Sequence, residues 1–372
     1  MAGVVRTAAA AAAVLVVASA LASCGLSAKA GPEDGPSTAA VAARATPSLA
    51  DVTPLTDVRD WDGEVNAVAD APIDPVAEDP QPALPVTVTD AQGTQVTVKD
   101  TSRVLALDVY GTLSRTVFEL GLGDRLVGRD VSTDFDEAKQ LPLVTQNGHD
   151  LNAEAILELD PTVILTDTSL GPWDVVLQMR DAGIPVVVVD SDRGLDNVGE
   201  LIHQVADPLG VPDAGDALAK RTQRQIDEVT AQIAKVAPAD SGARLRTVFL
   251  YVRGQSGIYY MFGEGSGADS LIDAIGGYDV AHEIGWNGMK PLTDEGLVAA
   301  QPDLVLMMTG GLESAGGVDG LLERLPALAQ TPAGQHRRFV TMEDSQILGF
   351  GPITASVLNA LAVATYAPED VS

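Results

Sequence analysis

The chain has 372 residues, of which 46% are apolar, and its 23 basic and 52 acidic residues give a formal net charge of −29 at pH 7. This length and apolar content allow about two domains with sizeable cores, and the charge excludes a nucleic-acid binder, because such proteins carry cationic surfaces. The only cysteine is Cys24, which excludes an intramolecular disulfide framework and a cysteine zinc cluster.

Residues 1–23 are predicted to be a lipoprotein signal peptide. Arg6 supplies a positive start, and the apolar run at residues 7–22 has signal-peptide length but is marginal for a stable span. The run ends in Leu21-Ala22-Ser23-Cys24-Gly25, which resembles a bacterial lipobox, a motif that implies cleavage before Cys24 and acylation of its thiol. Two or more acyl chains anchor stably, so we expect an exported protein tethered to the outer face of the cytoplasmic membrane by its lipid alone.

Residues 24–84 are predicted to be an acidic linker. From residue 31 to residue 84 the chain has eleven acidic residues, eight prolines and little periodicity. Such a composition is typical of an extended segment without a core of its own.

Folded structure is predicted to begin at Pro85, where apolar and polar residues alternate around a glycine-containing turn and indicate a β-hairpin. Beyond it, short apolar runs alternate with helical patterns, which predicts an α/β architecture. The predicted buried strands are Val104–Val109, Thr162–Leu165 and Ile184–Val189, and the predicted helices between them are Leu113–Leu120, Asn152–Leu159 and Trp173–Ala182.

An internal repeat predicts two similar βα lobes. Residues 152–165 align with residues 293–306 at an offset of 141, each copy comprising a capped helix, a proline and a strand. Residues 103–111 align with residues 246–254 at an offset of 143. Two matches in the same order at nearly the same offset indicate related lobes.

A long helix is predicted between the lobes, because residues 213–236 have mostly helical apolar spacing and no internal proline. The predicted organisation is an N-terminal lobe at 85–212, a bridging helix at 213–240 and a C-terminal lobe at 241–372. Open α/β sheets bind ligands at the carboxyl ends of their strands. A cleft between the lobes should therefore be lined by Tyr110, Tyr251 and Arg253.

This organisation, with its repeated helix-proline-strand unit and lipobox, resembles the substrate-binding lipoproteins of ABC importers for ferric siderophores, haem and cobalamin. The resemblance covers about residues 85–367 and implies a helical-backbone clamshell that acts as a monomeric receptor, not an enzyme, with a permease and its ATPase as partners. It also implies that Glu154 and Glu295, one in each repeat copy, pair with arginines of the permease.

The cleft edge offers one candidate iron ligand from each lobe. His149 precedes the first repeat helix, and Tyr251 lies in the second lobe; imidazole and phenolate are both known haem ligands. Arg253 lies two residues after Tyr251, so an extended strand points both side chains to the same face. Its positive charge would favour a phenolate over a phenol.

This set resembles the haem-binding lipoproteins of actinobacterial haem importers. The resemblance implies that His149 and Tyr251 are axial ligands of a transported haem, that Arg253 accompanies the tyrosine and that Met307 or Met308 packs on the porphyrin. His282 is the reserve ligand, and Trp286 is a candidate to stack on a flat ring. Upstream haem-scavenging surface proteins are candidate partners.

Two other ligand classes stay open, a ferric siderophore and cobalamin. A siderophore site usually presents several arginines or tryptophans, and few arginines besides Arg253 are predicted at this cleft. An enzyme is disfavoured because the sequence has no Gly-x-Ser-x-Gly, P-loop or His-Glu-x-x-His motif. A purely structural lipoprotein would leave the matched Glu154 and Glu295 unexplained.

Overall fold

Strands and helices alternate through residues 46–371, the part of the chain that the computed structural model describes. The predicted signal peptide, Cys24 and the start of the predicted linker lie outside the described residues. The strands are β1 (Glu64–Ala67), β2 (Val86–Thr89), β3 (Gln95–Val98), β4 (Val104–Leu107), β5 (Thr145–Gln146), β6 (Asp150–Leu151), β7 (Val163–Thr166), β8 (Val186–Val188), β9 (Arg246–Arg253), β10 (Ile258–Phe262), β11 (Tyr278–Asp279), β12 (Met289–Pro291), β13 (Leu304–Met308) and β14 (Phe339–Met342). The helices are α1 (Thr112–Glu119), α2 (Ala153–Glu158), α3 (Trp173–Asp181), α4 (Val198–Ala206), α5 (Pro212–Val236), α6 (Ala268–Ala274), α7 (Val280–Glu283), α8 (Asp294–Ala300), α9 (Thr309–Ala315), α10 (Gly317–Arg324), α11 (Pro332–Gln335), α12 (Asp344–Ile347) and α13 (Thr354–Tyr366). None of these helices is long and apolar enough to cross a membrane.

The first lobe contains a parallel sheet of order β4-β7-β8, preceded by the antiparallel β2-β3 hairpin. Its strands are apolar on both sides because helices cover both faces. Alternate residues of β4 divide between two cores: Val104 and Ala106 pack with α1 and α4, whereas Leu105 and Leu107 pack with α2 and α3. The predicted hairpin, parallel strands and helices of this lobe are confirmed.

The second lobe is built on a larger sheet of order β1-β14-β13-β9-β10-β12, in which the short β11 also pairs with β9. β9 runs parallel to β13 and antiparallel to β10. The side chains of β9 alternate between the two faces of the sheet. Phe249 points toward the core that contains α6 and α13, whereas Val248 and Leu250 point toward the core that contains α8 to α10. Helices therefore cover both faces of this sheet as well.

The two lobes are bridged by α5, whose 25 residues span about 37 Å at 1.5 Å per residue. Its buried side chains recur at helical spacing, and the helix packs against α4 of the first lobe and α13 of the second. The predicted α/β fold with two lobes and one bridging helix is confirmed.

The predicted linker is wrong for residues 46–84, which form an N-terminal strap across both lobes. β1 pairs in parallel with β14 of the second lobe, and the Leu49 amide donates to Asn359 Oδ1. The strap then reaches the first lobe, where the amides of Val76 and Ala83 donate to main-chain carbonyls of Glu119 and Gly210. Composition misled the prediction, because a few buried apolar residues, among them Leu49 and Val65, are sufficient to hold this proline-rich segment.

One buried carboxylate joins the strap, α1 and α5. The Glu119 side chain is 5% exposed and accepts hydrogen bonds from Arg221 Nη2 at 2.7 Å and from the Asp74 amide at 3.2 Å. Arg115 Nη2 lies 3.5 Å from its other oxygen. Three segments distant in sequence therefore meet at a single charge.

Candidate ligand-binding site between the lobes

The carboxyl ends of the strands of the two lobes border a common cavity of about 880 Å³. Tyr110 and Thr112, which follow β4, line it from the first lobe, and Glu343 and Gln346, which follow β14, line it from the second. The strap contributes Pro72. Of the residues that the sequence places at a cleft, Tyr110 lines this cavity, and Tyr251, Arg253 and His149 are not among its lining residues.

Tyr251 and Arg253 form the end of an aromatic row on one face of β9 and β10. The rings of Phe249 and Phe262 stack with centroids 5.1 Å apart, and the rings of Phe262 and Tyr251 follow at 6.0 Å. The Arg253 guanidinium carbon lies 4.6 Å from the centroid of the Tyr251 ring. Phe249 is fully buried and Tyr251 is half-buried, so the row leads from the core to the surface at the carboxyl end of β9, and packing fixes the orientation of the tyrosine.

Asp344 is a site residue that the sequence analysis missed. Its Oδ2 lies 3.4 Å from Arg253 Nη2, and its Oδ1 accepts a hydrogen bond from the Gly310 amide at 3.1 Å. Asp344 begins α12 directly after β14, so an acidic residue at the carboxyl end of a parallel strand was the signal available in the sequence. The aspartate holds the guanidinium over the Tyr251 ring and neutralises part of its charge.

His149 lies at the tip of the β5-β6 hairpin. Asn147 and Gly148 precede it with φ angles of 49° and 91°, the left-handed backbone that tight hairpin turns require and that Asn-Gly readily adopts. The residue is accessible to solvent, yet the surrounding protein partly desolvates its ring. Burial, and secondly the Arg253 guanidinium, lower the pKa of His149, while Asp344 and Asp150 oppose this effect. The first-lobe histidine is therefore within electrostatic reach of the second-lobe Arg253–Asp344 pair, and its neutral, metal-binding form is favoured.

Tyr110 lines the first-lobe side of the cavity above a buried charge cluster. The guanidinium carbon of Arg193 lies 5.2 Å from its ring centroid, and Arg193 Nη2 lies 2.7 Å from Asp167 and 3.8 Å from Asp108. Burial raises the pKa of Tyr110, and burial together with the charge of Asp167 raises the pKa of Asp108 to about 8. Burial and the neighbouring carboxylates therefore disfavour the charged form of Asp108, and Arg193 opposes them.

The two methionines at the end of β13 differ in accessibility. Met307 is completely buried in the core shared with α9 and α10, because strand alternation turns it away from the cleft. Met308, the last residue of β13, is 9% exposed and lies on the same face as Phe249. The structure thus differs from the prediction for Met307 and leaves Met308 as the methionine near the cleft edge.

His282 and Trp286 differ from their predicted positions as well. His282 Nδ1 lies 3.7 Å from Glu264, and the neighbouring Glu283 pairs with Arg246 at the first residue of β9, the end opposite to Arg253. Trp286 Nε1 donates to the Met261 carbonyl inside its own lobe. The loop that contains both residues follows β11, which pairs with the start of β9, so these side chains lie away from the cleft edge.

Glu154 and Glu295 occupy matched, exposed positions in the first turns of α2 and α8. Asn152 caps the first helix by accepting from the amides of Glu154 and Ala155, and Thr293 caps the second by accepting from the Gly296 amide. Neither glutamate forms an ion pair with another of the described residues. Both carboxylates are therefore available to a partner.

Comparison with known proteins places these features in a family context. The model of the periplasmic binding protein family matches residues 109–345. A curated relative, the uncharacterised ABC transporter substrate-binding lipoprotein YvrC of Bacillus subtilis (strain 168), is 24% identical over 288 residues, which are 76% of this chain and 86% of the relative. The solved structure of the haem-binding protein HmuT is 40% identical with a TM-score of 0.79 and covers 84% of this chain and 99% of its own. The apo form of the periplasmic haem-binding protein RhuT from Roseiflexus sp. RS-1 is 34% identical with a TM-score of 0.65 and covers 73% of this chain and 100% of its own.

Proposed function

The chain belongs to the periplasmic binding protein family and is the substrate-binding component of an ABC transporter; from this premise we propose that it captures haem between its lobes and delivers it to a permease and its ATPase. The proposal rests on one observation above the others. Tyr251 and Arg253 end strand β9 of one lobe with the guanidinium over the ring, and the charge of Arg253 acts on His149 of the other lobe. A flat iron porphyrin can accept one axial ligand on each face.

The residues on the second-lobe side suit an anionic oxygen ligand. The Arg253 guanidinium lies over the Tyr251 ring, and a tyrosine that binds iron as phenolate would compensate the charge of the ferric ion. Asp344 pairs with Arg253 and holds it in this position. Phe262 holds the ring from behind, so ligation needs little reorganisation of the tyrosine.

The first-lobe ligand in this proposal is the neutral imidazole of His149. Its lowered pKa favours the unprotonated ring, and its place at a hairpin tip leaves it accessible to a ligand. Tyr110 and Met308 supply apolar contact to the porphyrin. The role is binding and delivery rather than catalysis.

Two further proposals concern the placement of the receptor. Acylation of Cys24 would anchor the exported protein to the outer face of the cytoplasmic membrane. Glu154 and Glu295, exposed at matched positions on the two lobes, would then contact basic residues of the permease.

The test is a haemin titration followed by visible absorption, with the wild-type chain, Tyr251→Phe and the matched control Tyr259→Phe. Tyr259 is half-buried on the adjacent strand but packs on the opposite face of the sheet. We expect a saturable one-to-one shift of the haem band for the wild type and for Tyr259→Phe, and weaker binding with a different spectrum for Tyr251→Phe. A wild-type spectrum identical to that of free haemin would refute haem as the ligand and leave a ferric siderophore or cobalamin.

A further inference from the structure

Each of the two exposed glutamates has a large aliphatic neighbour that the fold leaves in solvent. Leu157 follows Glu154 by three residues in α2 and is 46% exposed, and Val298 follows Glu295 by three residues in α8 and is 56% exposed. Residues three apart in a helix lie on the same face. Acid and aliphatic side chain therefore form a matched pair on each lobe.

The inward faces of the two helices match as well. Ile156 and Leu297, at the same offset in the repeat, are buried in the cores of their lobes. The remaining positions differ: Ala155 corresponds to Gly296, and Glu158 to Ala299. Single exposed aliphatic residues are common and carry no information on their own. Here, however, an exposed aliphatic residue follows the same exposed acid by one turn in both copies, and this recurrence indicates a shared role.

We infer that Leu157 and Val298 are apolar anchors for the permease, an inference that rests on the proposed docking of Glu154 and Glu295. The partner is the permease surface that faces the receptor. It presents two sites, one for each lobe, and each site has a basic residue beside an apolar depression. Charge complementarity to a receptor of net charge −29 orients and accelerates the encounter. Burial of the two aliphatic side chains supplies affinity that salt does not screen.

The experiment compares three variants of the full lipoprotein, loaded with haemin and reconstituted in nanodiscs with the permease–ATPase complex of its importer. They are the apolar pair Leu157→Ser with Val298→Ser, the acidic pair Glu154→Gln with Glu295→Gln, and the control Leu177→Ser. Leu177 is 44% exposed on α3 and lacks an exposed counterpart, because Val318 at the same offset is buried. Receptor-stimulated ATP hydrolysis is measured against receptor concentration at low and high salt, with haemin binding measured in parallel.

For the apolar pair we expect the receptor concentration that gives half-maximal stimulation to rise by about 10-fold or more. Its haemin binding and its dependence on salt should be the same as those of the wild type. The acidic pair should lose both stimulation and salt dependence, and Leu177→Ser should match the wild type. Loss in the acidic pair alone would overturn this inference and leave the proposed docking intact. No loss in either pair would overturn both, and an equal loss in Leu177→Ser would overturn the inference by showing that any exposed aliphatic residue has the same effect.

Discussion

Replacing Arg221 by alanine should destabilise the junction of the strap, α1 and α5 because it leaves the Glu119 carboxylate without its shortest partner. Glu119 is 5% and Arg221 19% exposed, and the lost bond measures 2.7 Å. Breaking a buried ion pair costs about 3–5 kcal/mol. Glu119 keeps the Asp74 amide and Arg115, and Arg221 is partly hydrated, so we expect a loss of roughly 2–3 kcal/mol in the free energy of unfolding. For a fold of this size that loss lowers the melting temperature by roughly 3–4 °C.

The pH dependence of this loss separates the charge from simple packing. Burial already raises the pKa of Glu119 above its usual value, with Arg115 and Arg221 acting against it, and removal of Arg221 raises it further. An acid with a raised pKa in the folded state destabilises the fold as pH rises above its unfolded pKa. The deficit of Arg221→Ala should therefore be larger at pH 8 than at pH 5, and adding Glu119→Gln should remove that difference.

Urea unfolding at both pH values, monitored by circular dichroism, measures the effect. Arg224→Ala on the same helix is the control, because Arg224 makes no ion pair with another residue in the described range 46–371. An Arg221→Ala deficit equal to that of Arg224→Ala, or one that is the same at pH 5 and pH 8, would refute the reasoning.

Three other predictions concern the cleft, the anchor and the lobe contact. Arg253→Gln should raise the pKa of His149 and Asp344→Asn should lower it, as measured by NMR titration of the histidine ring; shifts of the same sign would contradict the assigned electrostatics. Cys24→Ala should release the protein to the medium on cell fractionation, whereas continued membrane association would contradict lipid anchoring. Gly267→Ala should lower the melting temperature by several degrees, because Gly267 has a φ of +85° and a Cβ there would lie 2.9 Å from a first-lobe carbonyl; an unchanged melting temperature would show that the lobes separate freely at this contact.

Local patterns and the internal repeat were sufficient to predict most of the fold. The repeat predicted two lobes, and the uninterrupted helical spacing predicted α5. Strand alternation also placed Tyr251 and Arg253 on one face, where the guanidinium lies over the ring. The helix and the shared strand face depend on residues close together in sequence, and the repeat depends on comparing two such local patterns.

Features set by long-range packing were not predictable in the same way. Asp344 reaches Arg253 across 91 residues of sequence, because β13 places β14 near β9. The direction of the loop that contains His282 is not given by its own residues, because the pairing of β11 with the start of β9 sets it. The strap was missed because its composition is typical of disorder, while its order depends on partners such as β14 and Asn359.

The pairing of β1 with β14 also constrains the order in which the protein can fold. Glu64 is paired with Phe339, so β1 leaves the ribosome or an export channel long before its partner strand does. Contacts between such distant segments form slowly, since a long loop must close before they are made. The first lobe has the strands of its parallel sheet within residues 104–188 and can form while the rest of the chain is still emerging. Until β14 is available, β1 lacks its partner and the second-lobe sheet has an unpaired edge at β13, and this interval is when the newly made chain is most exposed to aggregation and proteolysis.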